Sequence, residues 1–441
     1  VLALNALRVP IIPLNTRLQS DQILHLLKSV DANLVIIDST NTRLFQGINK
    51  SINCVDVNEL RRTTKIGNGY APNLKGSEEY KQFLISLSSG STGNPKPIVL
   101  SEKNKLDRSE QMISLYDICS DDVILCASPF FHTLGQRLTL LPLLVGSTLI
   151  QLTRFTAKTW SDAVYDHRVT FTIPVSSHLH ELVEPMLATP NRFSSLRCIV
   201  SSSATIDNAI KKQFFEHLSC SFHEMYGASE IATATNLNRE QSVSKPESVG
   251  IPCPGVEVQV VDDNLNPCRK NEVGQIKVKS QLASTGYYNL PQITEESFVN
   301  NFFLTGDLGF LDEDGYLFFV DRKKDVIISG GMNIYPSDIE SVILEHPKIK
   351  ECAVIGVHDT YLGEVPVVVV ICPGEDTHSV EREVRSKLQN TLAATQRPLK
   401  YFFWDHFPLT DSRKVDKLSI RRTLNELKLD LTSKLRAFQN A

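Results

Sequence analysis

Short apolar runs alternate with amphipathic stretches from residue 9 to about residue 260. Asn33-Leu34-Val35-Ile36-Ile37-Asp38, Asp122-Val123-Ile124-Leu125-Cys126-Ala127 and Arg197-Cys198-Ile199-Val200 read as strands. Positions 20–30, with Asp21 near the start, and 205–218 space their apolar residues as helices do. Runs of this kind separated by helices predict α/β layers with largely parallel strands. Residues 1–8 read as helix, and Val9-Pro10-Ile11-Ile12-Pro13-Leu14-Asn15 as a strand entering a turn.

The texture changes at 255–319, where strands such as 257–262, 274–278 and 315–319 are short and broken by Gly, Pro and Asn. That pattern predicts a β subdomain with a barrel-like form. A small α+β unit follows, with a helix starting at 338–344, strands at 351–357 and 365–372, and a helix at 380–392. The charged stretch Asp321-Arg322-Lys323-Lys324-Asp325 between apolar strands marks the boundary. The expected division is a large N-terminal domain of several subdomains, 1–321, and a small C-terminal domain, 322–441.

A chain of 441 residues calls for more than one core. Hydrophobic content of 41% and charged content of 22% are those of a globular protein. A net charge of -4 gives no reason to expect nucleic acid as a partner. The longest apolar run, 138–150, is short and interrupted by Pro142 and Gly146, so no membrane span is expected, and neither is a signal peptide. Nine cysteines without a C-x-x-C pair read as reduced thiols, which predicts a cytoplasmic protein. His178 and His180 have no third ligand in sight and predict no metal site.

The richest segment is Leu84-Ile85-Ser86-Leu87-Ser88-Ser89-Gly90-Ser91-Thr92-Gly93-Asn94-Pro95-Lys96. A strand breaks into a loop of hydroxyls and glycines and closes on a lysine. Gly90 and Gly93 let a backbone approach phosphate, Ser88, Ser89, Ser91 and Thr92 supply hydroxyls, and Lys96 adds mobile positive charge. The spacing differs from G-x-x-x-x-G-K-[ST], so the loop is not of the Walker type.

Further motifs follow in order: Phe130-Phe131-His132-Thr133-Leu134-Gly135, Tyr226-Gly227-Ala228-Ser229-Glu230, Thr305-Gly306-Asp307, Ser329-Gly330-Gly331-Met332-Asn333-Ile334-Tyr335-Pro336 and Thr410-Asp411-Ser412-Arg413-Lys414-Val415. Together they resemble the adenylate-forming superfamily of acyl-CoA synthetases, luciferases and peptide-synthetase adenylation domains. The resemblance covers essentially the whole chain, and relatives carry several dozen residues before the point at which it starts. It implies a large domain and a small mobile one, hinged near Lys324, with ATP, Mg2+ and CoA as the reaction's small molecules.

By this resemblance Lys414 bridges the substrate carboxylate and the α-phosphate, although Arg413 stands where relatives have glycine. If that position needs a positive φ, Arg413 is strained by about 1–2 kcal/mol. Glu230, with Thr92, holds Mg2+, and Tyr226 stacks on adenine beside Gly227 and Ser229. Asp307 binds the ribose hydroxyls, and Arg322 contacts the ribose or phosphates. Ser203 and Ala204 lie in Ser201-Ser202-Ser203-Ala204-Thr205, where relatives often have Ser-Gly-Gly-Ala-Pro. His132 resembles the gate beside an acyl pocket that Phe131 and Met225 help line. Gly330 and Gly331 correspond to the edge presented to pantetheine.

No acidic residue in the His132 segment is available for an α-ammonium, which argues against amino acid substrates. The expectation is a carboxylic acid activated as acyl-AMP and passed to the thiol of CoA. Transfer to an amine or a carrier-protein thiol, and a non-catalytic nucleotide- or acyl-binding role, remain as alternatives. The identity of the acid and a homodimeric state are left open.

Overall fold

The computed structural model describes residues 1–38, 41, 45, 52–63, 82–87, 95–359, 361–374, 376–410 and 414–427. The chain packs as two compact units, Val1–Glu257 with Val278–Phe303, and Val258–Lys277 with Leu304–Ala441.

The first unit is built on a seven-stranded sheet in the order Ile251–Pro252, Ala232–Asn238, Ser221–Ala228, Cys198–Ser201, Phe171–Thr172, Val123–Cys126, Thr148–Gln151. The last five are mutually parallel, and the first two run antiparallel at one edge. Alternate residues of each parallel strand feed different cores. Leu125, Ile199 and Phe222 pack with Trp160, Val164, Leu179 and Phe214, whereas Ile124, Cys126, Cys198 and Val200 pack with Met112, Tyr116, Leu138 and Leu141. Burial on both faces explains why these strands read as unbroken apolar runs.

Two helices of this unit matter for the site. Glu102–Tyr116 starts at Ser101, whose hydroxyl accepts from the Asn104 N–H at 3.0 Å, and ends at Asp117 in the left-handed region (φ 50). Thr133–Val145 survives an internal Pro142. Its Leu138 and Leu141 are fully buried, and at about 1.5–3 kcal/mol each they offset the roughly 3 kcal/mol that a helical proline costs.

The strand expected at 9–15 reduces to one bridge, Ile11 to Leu84. Pro10 and Pro13 have no N–H to give a ladder, so only the Ile11 N–H and C=O pair, with the Phe83 carbonyl at 3.0 Å and the Ile85 N–H at 2.9 Å. The helix expected from 205 begins at Asn208, because the Asp207 carboxylate accepts from the Ala209 N–H at 2.6 Å and caps it there.

The second unit contains the antiparallel ladder between Phe302–Leu311 and Leu317–Arg322, in register from Asp307↔Arg322 to Leu311↔Leu317. A second sheet runs in the order Met332–Ile334, Ile327–Ser329, Gly363–Ile371, Glu351–Asp359, with Lys400–Phe403 parallel to Gly363–Ile371. One face carries Pro336–Leu344 and Thr377–Thr391 through Ile339, Ile343, Val380, Val384 and Leu388. The other carries Lys417–Glu426 through Ile420 and Leu424. Among the described residues, no helix of either unit is long and apolar enough to cross a membrane.

Candidate active site

Site residues occur in both units. In the first, they follow the carboxyl ends of the parallel strands, the edge at which open α/β sheets bind ligands. Phe131 and His132 come after Val123–Cys126, Ser203 and Ala204 after Cys198–Ser201, and Tyr226 lies near the end of Ser221–Ala228. The His132 and Phe131 rings lie 4.4 Å apart. Met225 is half-buried against the Leu138 core, its sulfur accepting from the Thr233 hydroxyl at 3.6 Å.

Ser203 and Ala204 are exposed, and Ser203 has φ 78 in the left-handed region. Its serine Cβ is strained there by about 1–2 kcal/mol. Gly227 admits no side chain: a Cβ would stand 1.9 Å from the Ala232 carbonyl oxygen of the neighbouring strand. That close approach sets the turn that presents Ser229 and Glu230.

The turn is pinned from below. Arg108, which is 2% exposed, donates to the carbonyls of Ser229, Glu230 and Leu282 at 2.9 Å each. Burial, and secondly the neighbouring Arg137, push its guanidinium down to about 9, while Glu230 works the other way. The Ser284 N–H also donates to the Glu230 carbonyl, at 2.6 Å. Thr133 ties the histidine segment to the same turn, its hydroxyl 3.1 Å from that of Ser229.

The Glu230 side chain is buried, and its Oε1 accepts from the Tyr287 hydroxyl at 2.9 Å. Burial raises its carboxyl above the ordinary value; the Tyr287 hydrogen bond and the charges of Lys96 and Arg108 oppose the rise. Lys96 lies with Nζ 5.1 Å from the centre of the Tyr287 ring. Ser88, Ser89, Gly90, Ser91, Thr92 and Gly93 are outside the described residues. Their flanking strands, Gln82–Leu87 and Pro97–Ser101, pair antiparallel up to Leu87↔Pro97.

In the second unit Asp307 and Arg322 are partners across the ladder, with Arg322 Nε 3.6 Å from Asp307 Oδ1. Lys414 is half-buried, and burial, then the Arg322 charge, lower its amine to about 8, with Asp307 pulling upward. Its backbone N–H donates to the Thr410 hydroxyl at 3.1 Å, and its carbonyl accepts from the Thr410 N–H at 2.8 Å. Asp411, Ser412 and Arg413 are outside the described residues. Lys324 is exposed and lies two residues past the end of Leu317–Arg322. Gly330 (φ 57) and Gly331 (φ 81) form the turn between Ile327–Ser329 and Met332–Ile334, where the two positive φ values suit the tightest hairpin connection.

The AMP-binding enzyme family matches residues 1–288, and the C-terminal domain of AMP-binding enzymes matches 338–414. The chain belongs to this family. It is 32% identical over 341 residues to a feruloyl-CoA synthase of Amycolatopsis, covering 77% of this chain and 69% of that one. A 2-succinylbenzoate–CoA ligase of Bacillus cereus is 28% identical over 418 residues, 94% of this chain and 83% of the relative. Among solved structures, o-succinylbenzoate CoA synthetase from Bacillus subtilis, in complex with its acyl-adenylate intermediate, superposes with TM-score 0.84 at 27% identity, covering 94% of this chain and 83% of that chain.

Within this family fold, the described residues hold no group of three or more His, Cys, Asp or Glu side chains suited to a metal ion. A hard cation that takes one carboxylate and completes its shell with phosphate and water oxygens needs no such group. Glu230 fits that demand: it is a buried carboxyl whose desolvation a cation would relieve. The sequence did not reveal Arg108 or Tyr287. Neither stands in a motif quoted above, and an arginine within Glu102–Tyr116 reads as a solvated charge until its burial is seen.

Proposed function

We propose that this AMP-forming acid–thiol ligase joins a carboxylic acid to ATP and then to CoA, with Lys414 as the mobile charge that makes the first step feasible. The substrate carboxylate attacks the α-phosphorus; a carboxyl–phosphorus bond forms, and the bond to the pyrophosphate oxygen breaks. Two unit charges 4 Å apart repel by about 4 kcal/mol at an effective dielectric near 20, so nucleophile and phosphate need a cation between them. A protonated Lys414 supplies it. In the second step the CoA thiolate attacks the acyl carbonyl and AMP leaves.

Asp307 accepts hydrogen bonds from the ribose hydroxyls, and Arg322 fixes Asp307 while facing the phosphates. Tyr226, Gly227, Ser229, Ser203 and Ala204 receive the adenine, and residues 88–93 with Lys96 receive the triphosphate. Mg2+, held by Glu230 and Thr92, supplies charge neutralisation along the triphosphate when bound. Phe131 and Met225 contact the acyl group, with His132 as its gate, and Gly330 and Gly331 admit the pantetheine arm. Rotation of the C-terminal domain about Lys324 alternates the two steps. The nine cysteines, all free thiols, support a reducing, cytoplasmic setting.

The observation that supports this reading best is the grouping of Asp307, Arg322 and Lys414, with the lysine amine lowered to about 8. The test is a panel of carboxylic acids scored for pyrophosphate release from ATP, followed by mass detection of the CoA thioester. An acid that gives both supports the proposal. Acyl-AMP formation with no thioester from CoA, but an amide when an amine is supplied, would move the chain to the amide-forming reading, and ATP binding without pyrophosphate release for any acid would defeat the catalytic one.

A further inference from the structure

We propose that Tyr287 is a positioning residue for the metal–triphosphate site, its hydroxyl aiming the Glu230 carboxylate and its ring supporting Lys96. The inference rests on the magnesium role of Glu230 given above and adds a residue to it. Tyr287 touches both groups: its hydroxyl donates to Glu230 Oε1 at 2.9 Å, and Lys96 Nζ lies 5.1 Å from the ring centre. One side chain therefore spans the lysine that closes the serine-rich loop and the carboxylate that closes the Tyr226 motif, 134 positions apart in sequence (230 − 96).

The tyrosine is itself held rigidly. Its main chain bridges Ile98, the Tyr288 N–H donates to the Pro97 carbonyl at 2.8 Å, and the Val99 N–H donates to the Gly286 carbonyl at 2.9 Å. The strand so engaged begins one residue after Lys96. The Tyr287 N–H donates to the Thr294 hydroxyl at 3.0 Å, and the side chain packs, 7% exposed, with Phe83, Leu84, Ile98 and Leu100. A donor fixed to Oε1 restrains the carboxylate in one orientation, in which it would hold the cation. Partners of this kind typically change metal affinity 10–100-fold when removed.

The test uses the full chain with ATP and Mn2+ as a paramagnetic stand-in for magnesium, reading free Mn2+ by electron paramagnetic resonance. Tyr287→Phe keeps the ring, the packing and the Lys96 contact and removes one oxygen. Its Mn2+ dissociation constant in the presence of ATP should rise about tenfold or more. Thr294→Val removes one of the main-chain contacts of Tyr287, leaves its pairing with Pro97, Ile98 and Val99 and its hydroxyl in place, and serves as the packing control; it should lower the thermal midpoint and weaken Mn2+ binding by clearly less than Tyr287→Phe. Wild-type affinity in Tyr287→Phe would overturn the assignment, as would an equal loss in both variants. A wild-type protein that fails to bind Mn2+ with ATP would overturn the magnesium role of Glu230 as well, which separates the two failures.

Discussion

Asp307 and Arg322 face each other across an antiparallel ladder with Nε and Oδ1 3.6 Å apart, and the charges of both act, in opposite directions, on the Lys414 amine. On the roles proposed above, the ribose-binding carboxylate and the cations that face phosphate come from one group of side chains. Charged-group hydrogen bonds are worth about 1.5–3 kcal/mol, so Asp307→Ala should raise the KM for ATP roughly 10–100-fold. Initial-rate kinetics at saturating acid check this, and an unchanged KM would remove Asp307 from the nucleotide site.

The proposed role of Lys414 gives the reaction an alkaline limit. Its amine, lowered to about 8 by burial and by Arg322, is charged below that pH and loses its proton above it. Adenylation needs the charged form, so kcat/KM for the acid, which reports the free enzyme, should fall above a midpoint near 8. Lys414→Arg keeps its charge across this range and should lack that limb, whatever its absolute rate.

Ser203 and Gly227 offer opposite glycine tests. Ser203→Gly relieves a side chain at φ 78 and should raise stability by a few tenths to about 1 kcal/mol, after the larger chain entropy of glycine is offset. Gly227→Ala forces a Cβ to 1.9 Å from the Ala232 carbonyl oxygen and should separate the strands, with loss of pyrophosphate release. Urea titration reads the first and steady-state turnover the second.

The hairpin at Gly330 and Gly331 is expected to serve the second half-reaction alone. Gly331→Val, which places a β-branched residue at φ 81, should reduce thioester formation tenfold or more while leaving pyrophosphate exchange near the wild-type rate. Equal losses in both assays would remove the pantetheine role from this turn.

Much of this arrangement is legible in the chain. Strands such as Val123–Cys126 and Cys198–Ser201 announce themselves because both faces are buried, and the motif residues fall near strand ends, where topology gathers them. Pro10 and Pro13 misled because apolar content suggests a strand while the missing N–H groups forbid a ladder. Arg108 and Tyr287 stayed hidden for another reason. Their importance arises from hydrogen bonds spanning 121–122 and 57 positions, and nothing local distinguishes such residues from an ordinary surface arginine or core tyrosine.

The role proposed for Lys414 is to reconcile two anions in the first step, with no part in the second. Lys414→Ala, assayed for acid-dependent exchange of labelled pyrophosphate into ATP and separately for thioester formation from preformed acyl-AMP and CoA, tests it most directly. The expected result is loss of exchange by two or more orders of magnitude, the effect of removing one preorganised charge donor, with thioester formation largely retained. Equal loss of both activities, or exchange at the wild-type rate, would contradict the account.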